Sequence, residues 1–176
     1  MGKPIVICGF MGSGKTTVGR LLAKRLLDKF IDLDEEIEQT QKMSIPNIFK
    51  EKGEEYFRAL EHVTLQNVLR SPGPFTPVVA VGGGTLMDPD NAALLKEYDC
   101  YVVYLSTDFD ICYERIKSSN RPLVMQNTRE QLHALYDQRH EVYAGLCNTQ
   151  LYNHGAPERT VTNIISLINP LSIQKL

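Results

Sequence analysis

The chain has 176 residues, 43% of them apolar and 23% charged, with 19 basic against 21 acidic side chains and a formal net charge of −2. At about 100 to 200 residues per domain this is one core with room for a small inserted lid, and the apolar fraction argues against wholesale disorder. A near-neutral balance argues against a protein whose main task is to neutralise a phosphate backbone or an anionic membrane, so any bound anion must meet a few placed cations.

The first apolar run, Pro4-Ile5-Val6-Ile7-Cys8, is rich in branched aliphatics and predicts a strand buried on both faces. Val18, Leu21, Leu22 and Leu26 recur at helical spacing and predict a helix over 15–28. A second strand over 30–34 is followed by short helices over 35–41 and 45–52. A longer helix over 53–69 is ended by Ser71-Pro72-Gly73-Pro74. A third strand, 78–81, stops at Gly82-Gly83-Gly84, after which Asp88 as N-cap and Pro89 at the first helical position open a helix to about residue 98. The remainder reads as a strand over 101–105, a helix over 108–117, a polar irregular stretch over 118–128 and a helix over 129–146. A short edge strand at Leu151-Tyr152 and a helix over 158–168 close the pattern. Strands alternating with helices predict parallel pairing through right-handed crossovers, hence a three-layer α/β fold.

The longest apolar run, 101–105, has the length of a buried strand rather than the roughly 18 residues of a spanning helix. The opening Met1-Gly2-Lys3-Pro4 leads straight into the first strand, so the expectation is a soluble intracellular protein with no membrane partner. Cysteines at 8, 100, 112 and 147 form no Cys-x-x-Cys and signal neither zinc nor a disulfide framework; Cys8 and Cys100 read as small buried hydrophobes. Histidines at 62, 133, 140 and 154 show no ligand spacing, and none is given a role.

The sharpest signal is Gly9-Phe10-Met11-Gly12-Ser13-Gly14-Lys15-Thr16, a full match to G-x-x-x-x-G-K-[ST] between a predicted strand and a predicted helix. Such a loop turns its N–H groups toward one anion at the positive end of a helix. Lys15 reaches the β and γ phosphates and the Thr16 hydroxyl faces Mg²⁺. Asp32 and Asp34 close the second predicted strand, where alternation puts both carboxylates on one side at the ligand-binding edge of a parallel sheet. They can serve Mg²⁺ and an acceptor hydroxyl, or simply begin the next helix, whose dipole favours acids. Arg58 stands between Glu54 and Glu61 at helical spacing. This is either a solvated ion-pair triplet or a guanidinium that Glu61 orients toward a carboxylate. Gly82, Gly83 and Gly84 form a loose turn or admit backbone to a ligand, and their place at a strand end favours the second. Arg121, before Pro122-Leu123 in the polar stretch, and Arg139, on the helix carrying Tyr136 and Tyr143, are surface arginines or cations for an anionic substrate.

In order and spacing these segments resemble the shikimate kinase family over nearly the whole chain. The resemblance rests on the Gly-Phe-Met-Gly-Ser-Gly-Lys-Thr-Thr-Val-Gly loop, the Asp-x-Asp pair, the Ile-Phe…Gly-Glu…Phe-Arg…Glu segment, the triple glycine, Arg-Pro-Leu and Arg-x-x-x-Tyr. It implies a three-layer αβα P-loop fold like that of nucleoside monophosphate kinases. One domain over 1–176 would hold a five-stranded parallel sheet, a helical acceptor segment over 33–61 and a small lid over 118–128. It implies transfer of the γ-phosphoryl group of ATP to the 3-hydroxyl of shikimate with Mg²⁺, toward chorismate and the aromatic amino acids, in a cytoplasmic monomer that binds no nucleic acid.

Matched position by position, Gly12, Ser13, Gly14, Lys15, Thr16 and Thr17 would hold ATP, with Lys15 and Arg121 at the transferred phosphate. Thr16 and Asp32 would serve Mg²⁺, and Asp34 would orient the acceptor hydroxyls or act as base. Arg58 and Arg139 would grip the shikimate carboxylate beside the Gly82, Gly83 and Gly84 backbone, Arg115 would stack on adenine, and Pro157 would anchor an adenine-side loop that otherwise fits the family loosely. Two rival readings are another small P-loop kinase, for gluconate or a nucleoside monophosphate, and a non-catalytic nucleotide-binding module. The first has less use for paired arginines with an Asp-x-Asp site, and the second needs no acceptor site at all.

Overall fold

Residues 3–70 and 77–168 are described by a computed structural model; the helix-ending Ser71-Pro72-Gly73-Pro74 lies outside them. Five strands, β1 (Ile5–Cys8), β2 (Phe30–Asp32), β3 (Val78–Ala80), β4 (Tyr101–Ser106) and β5 (Thr149–Tyr152), pair in parallel in the order β2-β3-β1-β4-β5. Strand β1 is central and wholly buried, and its alternating side chains explain why it is aliphatic throughout. Ile5 and Ile7 face Val18, Leu22 and Ala23 of α1 (Lys15–Leu26) and Val161 and Ile164 of α8 (Pro157–Ile168). Val6 and Cys8 face α2 (Leu33–Gln41), α3 (Ile45–Arg70), α4 (Pro89–Glu97) and Tyr143 of α7 (Arg129–Leu146). A third apolar cluster joins Phe10 and Met11 to Phe109, Cys112 and Ile116 of α5 (Phe109–Ile116) and to Leu132 of α7. Cys8 and Cys100 are buried within the cluster that holds Val6, as expected of small hydrophobes, and all four cysteines are free.

Two local expectations are corrected and a third is borne out. The second strand ends at Asp32 rather than 34, because the Asp32 carboxylate accepts the N–H groups of Asp34 at 3.1 Å and Glu35 at 3.5 Å and so caps α2. Asp34 therefore sits in the first turn of a helix, and strand alternation is not what aligns the two acids. The stretch 118–128 is not wholly irregular: Arg121 is the N-cap of the short helix α6 (Pro122–Gln126), opened by proline at its first position. The predicted helices 45–52 and 53–69 are the two arms of α3, which bends at Gly53, where φ is 85° and ψ 172°. Because β1 has β3 and β2 on one side and β4 and β5 on the other, the chain reverses direction at its carboxyl end, and a crevice opens there.

Candidate active site

At that crevice residues 9–14 run from β1 into α1, whose N-cap, Gly14, leaves the first turn without a side-chain cap. A helix start of this kind is free to meet an anion. Lys15 Nζ turns back to donate to the carbonyls of Gly9 at 2.9 Å and Phe10 at 3.1 Å. The Thr16 hydroxyl donates to Asp32 Oδ2 at 2.6 Å, so one carboxylate caps α2 with one oxygen and receives Thr16 with the other. The loop is pinned from below by Asn153 Nδ2 at 2.7 Å and the Thr107 hydroxyl at 3.2 Å, both donating to the Ser13 carbonyl. A cleft of about 490 Å³ is lined by Gly12, Gly14, Lys15, Thr16, Thr17, Asp32, Arg115, Arg121 and Pro157. Ser13 does not line it: its side chain is fully buried and its N–H donates to the Phe10 carbonyl at 3.1 Å. Arg115 Nη1 donates to the Gly12 carbonyl at 2.8 Å, which sets its guanidinium at the rim.

A second cleft of about 380 Å³ adjoins the first and is lined by Asp34, Arg58, Glu61, Gly82, Gly83, Gly84, Arg121 and Arg139, with Ile45, Phe49 and Phe57 as an apolar wall. Arg58 donates through Nε and Nη2 to Glu54 Oε1, at 3.3 and 2.9 Å, and through Nη1 to Glu61 Oε2 at 2.5 Å. A guanidinium has five N–H donors, so with these three engaged, one on each terminal nitrogen remains for a planar anion. The surface-triplet reading is half right: Glu54 is exposed, but Glu61 is only 1% exposed and the pair points inward. Arg139 is 3% exposed, and its Nε and Nη1 are buried with no protein partner. Burial disfavours its charge. A buried, unpaired guanidinium is costly and marks a place where an anion belongs. The triple glycine is there for space: a Cβ on Gly84 would stand 2.7 Å from Arg58 Nη1, and one on Gly82 would stand 2.9 Å from oxygens of Asp34, Glu61 and Thr85.

The two clefts share Met11, Asp34, Glu35, Gly83 and Arg121. Asp34 is pushed up to about 6, first by burial and then by the charges of Asp32 and Glu61, against the pull of Lys15 and Arg121. Lys15 is pushed down to about 8, first by burial, with Asp34 opposing that shift and Arg121 adding to it. An acid and a base drawn toward each other across a shared wall is the arrangement expected where a proton and a phosphate charge are handled together. Arg121 is exposed and reaches both clefts from the start of α6.

Several residues of the site had no local signal. Phe49 and Phe57 meet across the Gly53 bend with ring centroids 4.8 Å apart and planes tilted by 44°, an arrangement that depends on the bend. The Tyr143 hydroxyl donates to the Gly83 carbonyl, one turn along α7 from Arg139; that i, i+4 spacing was readable, but its target lies 60 residues away. Asn153, 140 positions along the chain from the loop carbonyl it holds, had none. Among the described residues no group of three or more His, Cys, Asp or Glu can hold a metal ion.

Comparison with known proteins agrees with this geometry. The shikimate kinase family model matches residues 11–169. The chain is 42% identical over 143 residues to the shikimate kinase of Persephonella marina, covering 81% of this chain and 84% of that protein. It is 37% identical over 163 residues to that of Streptococcus gordonii, covering 91% and 96%. The shikimate kinase from Acinetobacter baumannii, solved in complex with shikimate, superposes with a TM-score of 0.89 at 35% identity over 100% of this chain and 96% of that one. With the fold, the paired clefts and these relatives in agreement, the chain belongs to the shikimate kinase family and is an ATP-dependent phosphotransferase with an alcohol acceptor.

Proposed function

We propose that the larger cleft holds ATP, that the smaller holds shikimate, and that the 3-hydroxyl of shikimate takes the γ-phosphoryl group at the wall they share. The observation that carries this division is Arg139, which lines the smaller cleft with Arg58 and whose Nε and Nη1 are buried without a protein partner. Together they suit one carboxylate, and Asp34 lies on the same wall to take the hydroxyl on the acceptor ring. In this reading Asp34, as carboxylate, accepts the hydroxyl proton's hydrogen bond and aligns the oxygen for in-line attack. Lys15 leaves the Gly9 and Phe10 carbonyls for the β and γ phosphates. Arg121 adds charge from the rim, and residues 118–128 form the lid that excludes water so that ATP is not hydrolysed.

The reaction uses a divalent metal, which we take to be Mg²⁺. Thr16 and Asp32 would hold it, and the oxygen-only donor pair fits a hard cation that completes its shell with phosphates and water. When bound it neutralises charge developing on the phosphates. Arg115 and Pro157 take the adenine end. Residues 33–61 serve as the acceptor segment, all within one domain. No helix among the described residues is long and apolar enough to cross a membrane, and four free cysteines suit a reducing compartment; we place the enzyme in the cytoplasm as a monomer.

The test is ADP release with ATP and Mg²⁺ against shikimate, gluconate and nucleoside monophosphates. Stimulation by shikimate alone is expected. Turnover with another acceptor but not shikimate would overturn the assignment, and none with any would leave a binding module.

A further inference from the structure

The carboxylate of Glu61 is buried and each of its oxygens has one partner. Oε2 receives Arg58 Nη1 and Oε1 receives the Thr85 hydroxyl, both at 2.5 Å. Thr85 is fully buried in a single 3₁₀ turn (Thr85–Met87) that starts immediately after the triple glycine, its N–H donating to the Gly82 carbonyl at 3.2 Å. Its own carbonyl accepts Asn91 Nδ2 at 2.8 Å, and Asn91 Oδ1 meets His62 Nδ1 at 2.8 Å. With Asn91 donating through its amide nitrogen, its oxygen is left to accept, so His62 donates from Nδ1. His62 is the neighbour of Glu61 on α3, which closes a ring: Glu61, Thr85, Asn91, His62 and back to Glu61 along the chain. Nothing in the phosphate-transfer step requires this ring, yet Glu61, Thr85 and Asn91 are buried, His62 is half-buried, and every link is satisfied.

We infer that Thr85 is a positioning residue for the acceptor carboxylate: its hydroxyl fixes the rotamer of Glu61, and Glu61 in turn holds the Arg58 fork open toward the cleft. The inference rests on the reading of Arg58 as a carboxylate ligand. Without the Thr85 donor, Glu61 Oε1 would face the space beside Gly82, where Asp34 Oδ1 also converges. Repulsion between the two carboxylates would then turn Glu61, and with it Arg58, out of line. Thr85 thus separates the charge that holds the acceptor from the charge that aligns its hydroxyl.

Steady-state kinetics on the full chain test this with four variants: Thr85→Ala, Thr85→Ser, Arg58→Ala and the Arg58→Ala/Thr85→Ala double. Loss of one hydrogen bond to a buried charge should raise the KM for shikimate about tenfold in Thr85→Ala, with kcat within about twofold and the KM for ATP unchanged. Thr85→Ser, which keeps the hydroxyl, should restore the KM. The double variant should bind shikimate no worse than Arg58→Ala, because Thr85 acts only through Arg58. An unchanged shikimate KM in Thr85→Ala overturns the inference, as do equal losses in kcat and both KM values, or penalties that multiply in the double variant. If Arg58→Ala itself leaves the shikimate KM unchanged, the carboxylate reading has failed first, and the two failures are thereby told apart. Should the alanine variant not fold, Thr85→Val, which conserves volume, is measured in its place with the same outcomes.

Discussion

The two clefts meet at one wall but treat their charges in opposite ways. In the cleft proposed for the nucleotide the side chains are already satisfied: Lys15 lies on two carbonyls of its own loop and Thr16 on Asp32. In the acceptor cleft Arg139 is buried with two donors unmatched, and Arg58 is braced by two glutamates with an edge left over. The nucleotide side can rearrange at small cost when phosphate arrives, since each hydrogen bond that Lys15 gives up to a carbonyl is replaced by a stronger one to an anion. The acceptor side is held ready and stores an unfavourable burial that only an anion relieves. The difference teaches which half of the enzyme carries specificity. A phosphate loop accepts any nucleoside triphosphate tail, whereas a fixed pair of guanidinia beside a buried aspartate accepts a carboxylate at one distance from a hydroxyl.

The largest expected effect breaks the junction itself. Asp34→Asn should lower kcat by about 10²- to 10⁴-fold while nucleotide affinity stays near that of the parent. Lys15→Ala should lose nucleotide affinity; an equal loss in Asp34→Asn, read by equilibrium nucleotide binding, would move Asp34 to the nucleotide side. The same substitution has a stability consequence. An acid whose folded value is raised to about 6 stabilises the fold while protonated, and that contribution is lost as pH rises from about 4 through 6. At pH 7 the ionised carboxylate therefore costs about 3 kcal/mol, and Asp34→Asn should melt about 6 to 12 °C higher than the parent. At pH 4 the two should melt together.

Arg139→Met sharpens the contrast between readiness and relaxation. Removing a charged ligand should raise the KM for shikimate about ten- to hundredfold, while the loss of an unpaired buried charge leaves the ligand-free protein as stable as the parent or more so. A drop in melting temperature would mean that Arg139 is a structural residue and that the cleft stores no such cost. A smaller effect separates the two clefts by pH. In the proposed role Asp34 receives the hydroxyl only when ionised, so kcat/KM for shikimate should fall tenfold per pH unit below about 6, well above where an ordinary carboxylate would place the limb. In Asp34→Asn that limb should vanish from the residual rate.

The same asymmetry decides what was legible in the sequence. The phosphate loop is a contiguous run, so its residue types and its flanks carry the whole signal. The parallel sheet follows from alternation, and the arms of α3 were visible as helices separated at Gly53. The acceptor cleft is built from α2, α3, the triple glycine, α6 and α7, and only resemblance could bring Arg58 and Arg139 together. Residue pattern alone left each arginine divided between a surface and a site. Asp32 shows why local reading misplaced a boundary. Its carboxylate prefers to cap the amides of Asp34 and Glu35, two and three residues ahead, and this outweighs the extension of a short strand. Thr85 and Asn153 were silent because a buried hydroxyl or amide is recognisable only by the partner that folding delivers.

The bend in α3 gives the smallest and most local test. Gly53 holds φ 85° and ψ 172°, a region that only glycine enters freely, and a Cβ there would meet nothing within 4 Å. Gly53→Ala is thus a conformational penalty without a clash, of about 1 to 3 kcal/mol if the bend survives. That corresponds to melting about 3 to 9 °C lower with both KM values intact. The alternative is that the helix straightens to escape the strain. Phe49 then loses its place against Phe57, and Arg58 turns relative to Arg139. In that case stability is kept and the KM for shikimate rises alone, because none of the nucleotide cleft rests on α3. A melt and two KM values tell the outcomes apart, and a change in the KM for ATP would show that the clefts are not mechanically separate.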